Sequence, residues 1–397
     1  MKLKRLMNVL LICVLVLPVS AMAREGARNW EIVNRIRLEY DDNIRQQERD
    51  TTSSFKIIEE IQFHVNFNLE NTFVGLRYRP SFVWWENRSE DSTDLFHNLD
   101  FILNHEFTPR LSLSIKDTFR YAEQPELIER GDVVRQDSDF IFNTLSGALS
   151  YKMFPQTSLE ASGRYDLLRY DDDAVAERQD FDLYAAGLTL GHQIMPETRV
   201  AGEIRFETID YDSDEFRRDA DTYQAGGSVE HTFNPGLLGN LRAGMQYKDF
   251  DADDISSDTS PFVSGSLTYL PSPSTRMTLG AGFTHFEADV FPYANQERSR
   301  AFASISHDLT ARVTLNVAGT YTYAKYREDE VPAEARERLD IVEGDGTEEI
   351  IQLSTRISYQ INRKNWLEAG WQYVDLDSDV RNDYDRNRFH VGWRTRL

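Results

Sequence analysis

The chain of 397 residues has a single cysteine, Cys13, so it forms neither an intrachain disulfide nor a cysteine metal site. A membrane-spanning helix needs roughly 18 or more consecutive apolar residues, and no such run follows residue 23. Basic residues are also few relative to acidic ones, with 44 against 66 and a formal charge of −22. This balance excludes nucleic acid as the expected partner, because phosphate binding needs a basic face.

Residues 1–23 have the composition of a secretory signal peptide. They combine a basic start, an apolar segment from Val9 to Val19, and a cleavage site of A-x-A type at residues 21–23. We therefore expect an exported chain whose mature part, residues 24–397, is one domain without cysteine.

The dominant hydrophobic period after residue 29 is two. Apolar residues alternate with small polar ones from Val313 to Tyr323, and the same alternation runs through 351–361 and 389–397. Runs of about 10–13 residues exceed the usual strand of a soluble protein, and they match the length of a tilted membrane strand.

Short connections alternate with long acidic ones. The short ones lie at residues 69–71, 108–110, 154–156, 195–197, 234–236, 271–273, 310–312 and 362–364, whereas Asp-rich stretches such as 171–173, 251–258 and 375–385 separate them. This pattern predicts an all-β fold: a single transmembrane antiparallel β-barrel of about 18 strands, with both termini and the short turns periplasmic and the long loops extracellular. A β-propeller is the alternative for a repeat of about 42 residues. It is disfavoured because no Gly-His or Trp-Asp pair recurs.

Aromatic side chains mark both ends of the predicted strands, as expected for rings at a membrane interface. Those before the long loops are Tyr40, Trp84, Trp85, Tyr121, Tyr170, Tyr211, Phe250, Phe286, Tyr326 and Tyr373. Near the short turns, His105, His192, His231 and His307 take places that Tyr151, Tyr269 and Tyr359 take elsewhere. We interpret these histidines as interfacial residues and not as metal ligands, because they would be spread around the barrel.

The opposite phase of the strands predicts the lumen wall. It carries Gln62, His64, Arg77, Arg79, Lys116, Arg120, Glu160, Arg164, Glu203, Arg205, Glu207, Arg242, Lys248, Gln352, Arg356, Glu368 and Gln372. A wall with this many charges implies water or close pairing, since an unpaired charge in a dry core is very costly. The inward aromatic signal is thin, with Phe73, Trp85 and Phe286 as the candidates.

Two long loops are candidate gates. Ala122 to Ser138 and Tyr326 to Glu349 each contain a short helix candidate, at 125–131 and 332–339. Either loop narrows the pore or caps it outside. The Asp clusters at 251–254 and 375–379 lack the twelve-residue calcium-loop pattern, so we expect a solvated acidic rim near lipopolysaccharide. No nucleophile elbow, zinc-binding or phosphate-loop motif is present, so neither an enzyme nor a cofactor is expected.

The last strand alternates through Phe389, Val391, Trp393, Thr395 and Leu397 to the C-terminus. This resembles the terminal signal that the outer-membrane assembly machinery recognises, with Leu397 in the place of the usual Phe. The predicted signal peptide, the Asp-rich loop at 170–173 and the turn at 107–110 are further features of this kind. By these features the chain resembles the putative β-barrel porin family of the second type.

The resemblance implies an outer-membrane channel that exports an exopolysaccharide with a periplasmic polysaccharide export protein as partner. Two alternatives stay open: a diffusion porin for small polar solutes, and a non-conducting scaffold or adhesin. The location expected in every case is the outer membrane of a Gram-negative bacterium, in contact with its lipid and lipopolysaccharide.

Overall fold

The computed structural model describes residues 29–88, 92–122, 139–213, 217–252, 255–332 and 344–397. Eighteen long strands account for most of them. They are β1 Trp30–Asp41, β2 Ser54–Asn68, β3 Thr72–Trp85, β4 Thr93–Thr108, β5 Leu111–Ala122, β6 Phe140–Phe154, β7 Thr157–Tyr170, β8 Phe181–Met195, β9 Thr198–Tyr211, β10 Ala220–Asn234, β11 Leu237–Phe250, β12 Asp258–Ser272, β13 Thr275–Glu287, β14 Asn295–Thr310, β15 Val313–Tyr326, β16 Gly346–Asn362, β17 Asn365–Ser378 and β18 Tyr384–Arg396.

The strands form one closed antiparallel barrel. Each strand pairs with its neighbours in sequence, and β1 pairs with β18 from Val33 opposite Arg396 to Asp41 opposite Arg388. The predicted count of 18 strands and the alternation of short turns with long loops are both confirmed. Within the described ranges, no helix is long and apolar enough to cross a membrane.

The two faces of the wall differ because the strand period is two. On β11, Leu241 and Met245 are half exposed on the outer face, whereas Asn240 and Arg242 line the inner cavity. The last strand follows the same rule, with Phe389, Val391 and Trp393 about half exposed on the outer face. An apolar outer face and a polar inner face are the pattern of a barrel that lies in lipid.

At the short-turn end of the barrel, the four predicted interfacial histidines make one repeated contact. In each case Nδ1 lies opposite a threonine hydroxyl on the paired strand, at 2.7 Å for Thr72 and His105, 3.0 Å for Thr157 and His192, and 2.8 Å for both Thr198 with His231 and Thr275 with His307. Each pair is directly opposite in register, for example Thr198 and His231. The ring therefore has a hydrogen-bond partner on the outer face of its own hairpin.

The remaining described secondary structure lies in the connections at the long-loop end. Helix α1, Asp173–Gln179, follows β7 and is capped by Asp172, whose carboxylate accepts from the backbone N–H groups of Ala174 and Val175. A single 3₁₀ turn lies at Glu328–Glu330 after β15. The predicted helix at 125–131, the predicted helix at 332–339 apart from Pro332, and the predicted signal peptide lie outside the described residues, and these three predictions stay predictions.

The predicted aromatic belt before the long loops is wrong for six of its ten members. Tyr40, Trp84, Tyr121 and Tyr373 share the phase of the exposed apolar residues on their strands, as predicted. The side chains of Trp85, Tyr170, Tyr211, Phe250, Phe286 and Tyr326 instead share the inward phase. The reason is parity: Tyr170, for example, is six residues from Arg164, so both side chains project to the same face.

Candidate pore and inward loop

The inner wall encloses a cavity of about 790 Å³ below the long loops. Its cationic lining residues are Lys116, Arg120, Arg164, Arg205, Arg242, Lys248, Arg298 and Arg300, and its acidic ones are Asp166, Glu207, Glu287 and Asp289. Among the residues described, bases therefore outnumber acids here by eight to four, in a chain whose overall charge is −22. The cavity has the opposite sign of charge from the protein as a whole.

Most of the predicted lumen residues are paired with side chains on the next strand or the one beyond it. Arg77 and Arg79 both reach Asp100, at 2.8 and 3.4 Å, and Arg164 reaches Glu207 at 2.9 Å. The other pairs join Arg242 to Glu203, Glu160 to Ser150, and Glu368 to both Arg35 and Arg394. Arg120 also has a partner. Their role in lining a water pathway stays a prediction.

Lys116, Arg205 and Arg356 differ from these residues. In the described part of the chain, no carboxylate lies within 4.0 Å of their charged groups, and their side chains make no hydrogen bond there. Lys116 and Arg205 line the same cavity, and Arg356 lies on β16, next to the Glu368 cluster. An unpaired cation on a barrel wall is free to meet water or an anion.

Sequence reasoning missed several inward charges, among them Arg35, Lys56, Asp100, Arg298 and Arg300. Arg298 and Arg300 alternate with Ser299 and Ala301, and both line the cavity from β14. The same period of two that identified Arg77 and Arg79 would have identified them.

The connection between β13 and β14, residues 288–294, lies inside the barrel, and we call it the inward loop. Ala288, Val290 and Tyr293 pack against Ala324, Tyr326 and Val331 on one side. Ala294 belongs to a second buried cluster that includes Leu183 on β8 and Ile209 on β9. The loop thus covers the sector of the mouth between β9 and β15.

The strand that leads into the inward loop, β13, separates from β12 before the loop begins. Pairing between β12 and β13 ends at Val263 and Phe283, so the last residues of β13 lean inward. There the amide of Gln246 donates to the carbonyl of His285 at 3.1 Å, and Lys248 reaches Glu287 at 2.8 Å. Side chains of β11 therefore replace the lost ladder contacts.

One buried arginine ties the inward loop to the β9–β10 connection. Arg218, in the β9–β10 connection, is 1% exposed and donates to the carbonyls of Tyr293 and Arg178. Its guanidinium lies over the rings of Tyr211 and Phe291, at 4.1 and 5.4 Å from their centroids. In the described residues no carboxylate pairs with it, and burial lowers its pKa. Carbonyl oxygens and ring faces therefore compensate for its lost hydration.

A buried acid lies at the other side of the inward loop. Glu330 is 5% exposed, and its backbone carbonyl accepts from Ala294 N at 3.0 Å. Its Oε1 is 3.5 Å from the Asn295 amide, and Oε2 has no hydrogen-bond partner among the described residues. Burial raises the pKa of Glu330 to about 7, an effect that Asp329 and Asp258 increase and Arg327 opposes.

Aromatic rings line the cavity in larger number than the sequence analysis predicted. Besides Phe286, the inward rings include Phe142, Tyr170, Tyr211, Phe262 and Phe302. Phe262 lies against Gly244, where a Cβ atom would be 2.4 Å from the ring and 2.2 Å from the carbonyl oxygen of Ala225. A glycine is therefore required at residue 244. The expectation of a thin inward aromatic signal was wrong, because the parity of β6, β12 and β14 places these rings inside.

The predicted gates are only partly described. Residues 123–138 of the first and 333–343 of the second lie outside the described part of the chain. The start of the second, Tyr326 to Val331, packs on the inward loop, and the Tyr326 hydroxyl donates to Asp289 at 2.7 Å. No local sequence pattern indicates the inward loop itself, since its contacts join residues far apart in the chain.

Comparison with known proteins agrees with this architecture. Among solved structures, OpdK of Pseudomonas aeruginosa has a TM-score of 0.50 and 12% identity, over 93% of this chain and 99% of that one. OccAB3 of Acinetobacter baumannii has a TM-score of 0.48 and 12% identity over 93% and 100% of the two chains. Pseudomonas aeruginosa OccK2 (OpdF), solved in complex with glucuronate, has 0.49 and 11% over 93% and 98%. At this identity the likeness to OpdK shows the fold alone.

Sequence comparison identifies the family. No curated protein matches the chain at a significant level. The family described as "Putative beta-barrel porin 2" matches residues 35–397, which include the inner-wall residues and the inward loop described above. The chain belongs to this family and is a porin-like β-barrel of the Gram-negative outer membrane.

Proposed function

We propose that the chain is a passive, non-enzymatic channel for small polar solutes. The observation that carries the proposal is the charged inner wall, with its cavity of about 790 Å³ below a loop that narrows one mouth. Unpaired cations such as Lys116 and Arg205 favour a water-filled path, because a dry interior would impose a large desolvation cost on them. An 18-stranded barrel is wide enough to hold such a path.

Planar-bilayer recording tests conduction directly. The purified full chain should give discrete conductance steps in potassium chloride. Liposomes that contain it should swell in small sugars and swell less as sugar size increases. A barrel that gives neither steps nor swelling is not a channel, and the scaffold or adhesin alternative would then replace this proposal.

Export of an exopolysaccharide is the second candidate, and the inward aromatic rings favour it. Phe142, Phe262, Phe286 and Phe302 line the same cavity, and flat rings are suitable surfaces for sugar faces. This function requires a periplasmic polysaccharide export protein as partner. If it is correct, loss of the gene should trap polymer in the periplasm while the inner-membrane machinery stays intact. Unchanged polymer outside the cell would reject it.

Orientation is part of either proposal. We propose that the long loops face the exterior and the short turns face the periplasm. A cysteine placed at Asp173, in α1, should react with an impermeant thiol reagent on intact cells, whereas a cysteine at Arg363 should react only after lysis. Because the mature chain has no cysteine of its own after residue 23, each label would report one site. The reverse pattern would invert the barrel.

A further inference from the structure

We propose that the barrel wall holds a binding site for the oxyanion group of a small solute, a carboxylate or a phosphate, between Lys116 on β5 and Arg205 on β9. The proposal deepens the proposed function, since it names the class of solute that the pore retains. Three observations support it: a recess in the wall, two cationic side chains without partners among the described residues, and the excess of basic over acidic side chains around them.

The recess has a volume of about 250 Å³ and opens from the inner wall across β5 to β9. Its floor is made of small side chains, among them Ser146, Ser162 and Ala185. Small inward residues on three adjacent strands leave the space that larger side chains fill elsewhere on the wall. The Ser162 hydroxyl adds a hydrogen-bond donor to this floor, whereas the Ser146 hydroxyl donates to the backbone carbonyl of Lys116 at 3.4 Å.

Three cations surround the recess, and only one of them is neutralised. Arg164, on β7, pairs with Asp166 at 3.0 Å and with Glu207 at 2.9 Å. Lys116 and Arg205 flank it on the recess lining, and the side chain of neither makes a hydrogen bond or an ion pair with any residue that the structure describes. Their donors are therefore available for a ligand on either side of Arg164.

The ligand chemistry follows from these donors. A guanidinium binds a carboxylate or a phosphate with two parallel hydrogen bonds, and an ammonium adds a point charge. The larger cavity around the recess carries eight bases against four acids, so it concentrates anions locally even though the chain is acidic overall. Basic side chains on a pore wall select for anions.

The experiment is a calorimetric titration of the purified full barrel in detergent at about 0.1 M salt, where the Debye length is about 10 Å. The probes are sodium succinate, inorganic phosphate and neutral succinamide. We expect succinate or phosphate to bind in the millimolar range and succinamide not to bind. The stronger of the two anions identifies which oxyanion the site prefers.

Matched variants locate the site. Lys116→Gln and Arg205→Gln should each weaken binding by about tenfold, because a hydrogen bond to a charged group contributes about 1.5 kcal/mol. Arg363→Gln removes the same charge from an exposed short turn and should leave binding unchanged. Equal binding in all four proteins, or no anion binding by the unmodified barrel, overturns the proposal.

A separate measurement of conduction distinguishes a failure of the proposed anion site from a failure of the proposed channel. In bilayers under a salt gradient, we expect chloride to be more permeant than potassium, and the double variant of Lys116 and Arg205 to lose most of this preference. A barrel that binds succinate without conducting would refute the channel and leave the site. A barrel that conducts with a preference for potassium and binds no anion would refute the site and leave the channel.

Discussion

The two ends of this barrel are built differently. At the short-turn end, two-residue turns such as Pro155–Gln156 join strands whose apolar side chains face outward, and each interfacial histidine bonds to one threonine. At the long-loop end, connections fold over the lumen and pack on one another. All buried hydrophobic residues in the described ranges lie in this long-loop half, and most of them form clusters around Tyr326, Phe250, Tyr170 and Trp85.

The difference shows where a membrane barrel has a hydrophobic core of the kind found in soluble proteins. Along the wall, apolar side chains contact lipid, and the closed hydrogen-bond ladder holds the strands together. Above the wall, the loops are surrounded by water, so their apolar residues become buried only by packing against each other across the mouth. We therefore expect packing of the inward loop over the mouth to be an equilibrium separate from the folding of the barrel wall, so that mutations can shift it without loss of the wall.

Removing the inward loop should have the largest effect on this equilibrium. Replacement of Asp289–Tyr293 by Gly-Gly deletes the apolar contacts to Tyr326 and the acceptor for Arg218, so the mouth should stay open permanently. We expect a several-fold higher single-channel conductance in planar bilayers, with the barrel's thermal unfolding nearly unchanged.

The control for this deletion lies at the other end. Replacement of Pro155–Gln156 by Asn-Gly keeps a two-residue turn and should change neither conductance nor stability by much. A deletion of the inward loop that leaves conductance at the level of this control would mean that the loop is a passive cap.

The wall was predictable from sequence because its determinants are local. A period of two fixes the face of each side chain, and short turns at regular intervals fix the strand number. Even the misassigned rings obey this rule, since Tyr170 has the parity of Arg164. Closeness to the end of a strand therefore does not by itself place an aromatic ring in the interfacial belt, because the parity of the residue decides which face of the wall it occupies.

The closed mouth was not predictable in the same way. Four strands, β10 to β13, lie between Arg218 and Phe291 in the sequence. The two residues meet only because the barrel brings β9, β10 and β13 around one lumen. The sequence around residue 290 resembles any other loop. Which loop folds inward depends on the loss of pairing between β12 and β13 after Phe283, which is a property of the assembled wall.

Loss of the arginine that ties the loop should have the next largest effect. Arg218→Ala removes hydrogen bonds to two carbonyls and ring contacts on two sides, at a cost of about 2 kcal/mol for loop closure. We expect amide exchange at Tyr293 and Ala294 to become roughly 30-fold faster, measured by native-state hydrogen exchange.

Arg217→Ala is the matched control, because the neighbouring Arg217 is mostly exposed and lies 3.9 Å from Asp251. Its exchange rates should match those of the unmodified protein. Equal effects of the two variants would show that Arg218 acts only through net charge. Arg218→Lys keeps the charge without the planar group and should be intermediate.

Titration of Glu330 should have a smaller effect on the same closure. Its pKa is raised to about 7 in the closed mouth, so the neutral acid is the form that the closed state favours. The contribution to closure is complete below its ordinary pKa, about 4.5, and is lost as pH rises through about 7. Between pH 6 and pH 8 the closed fraction relative to the open one should fall by roughly tenfold. Conductance histograms recorded at both pH values measure this ratio.

Glu330→Gln should remove this dependence near pH 7, since the amide stays neutral. A weaker response should remain at lower pH, because burial also raises the pKa of Asp180 to about 6. Glu328→Gln, at an exposed position two residues earlier, should keep the full response. If the response persists unchanged in Glu330→Gln, another group controls the mouth.

The smallest effect is expected at the short-turn end. Thr198→Val removes the hydroxyl that lies 2.8 Å from His231 Nδ1 but keeps the side-chain shape. One such hydrogen bond contributes about 1 kcal/mol or less, and the neighbouring hairpins repeat the contact, so unfolding should shift only slightly. Conductance, anion preference and loop exchange should all stay the same, because no side chain at this end contacts the inward loop. A change in gating from this variant would show that the two ends are coupled through the wall, and closure could then no longer be treated as an equilibrium separate from the cylinder.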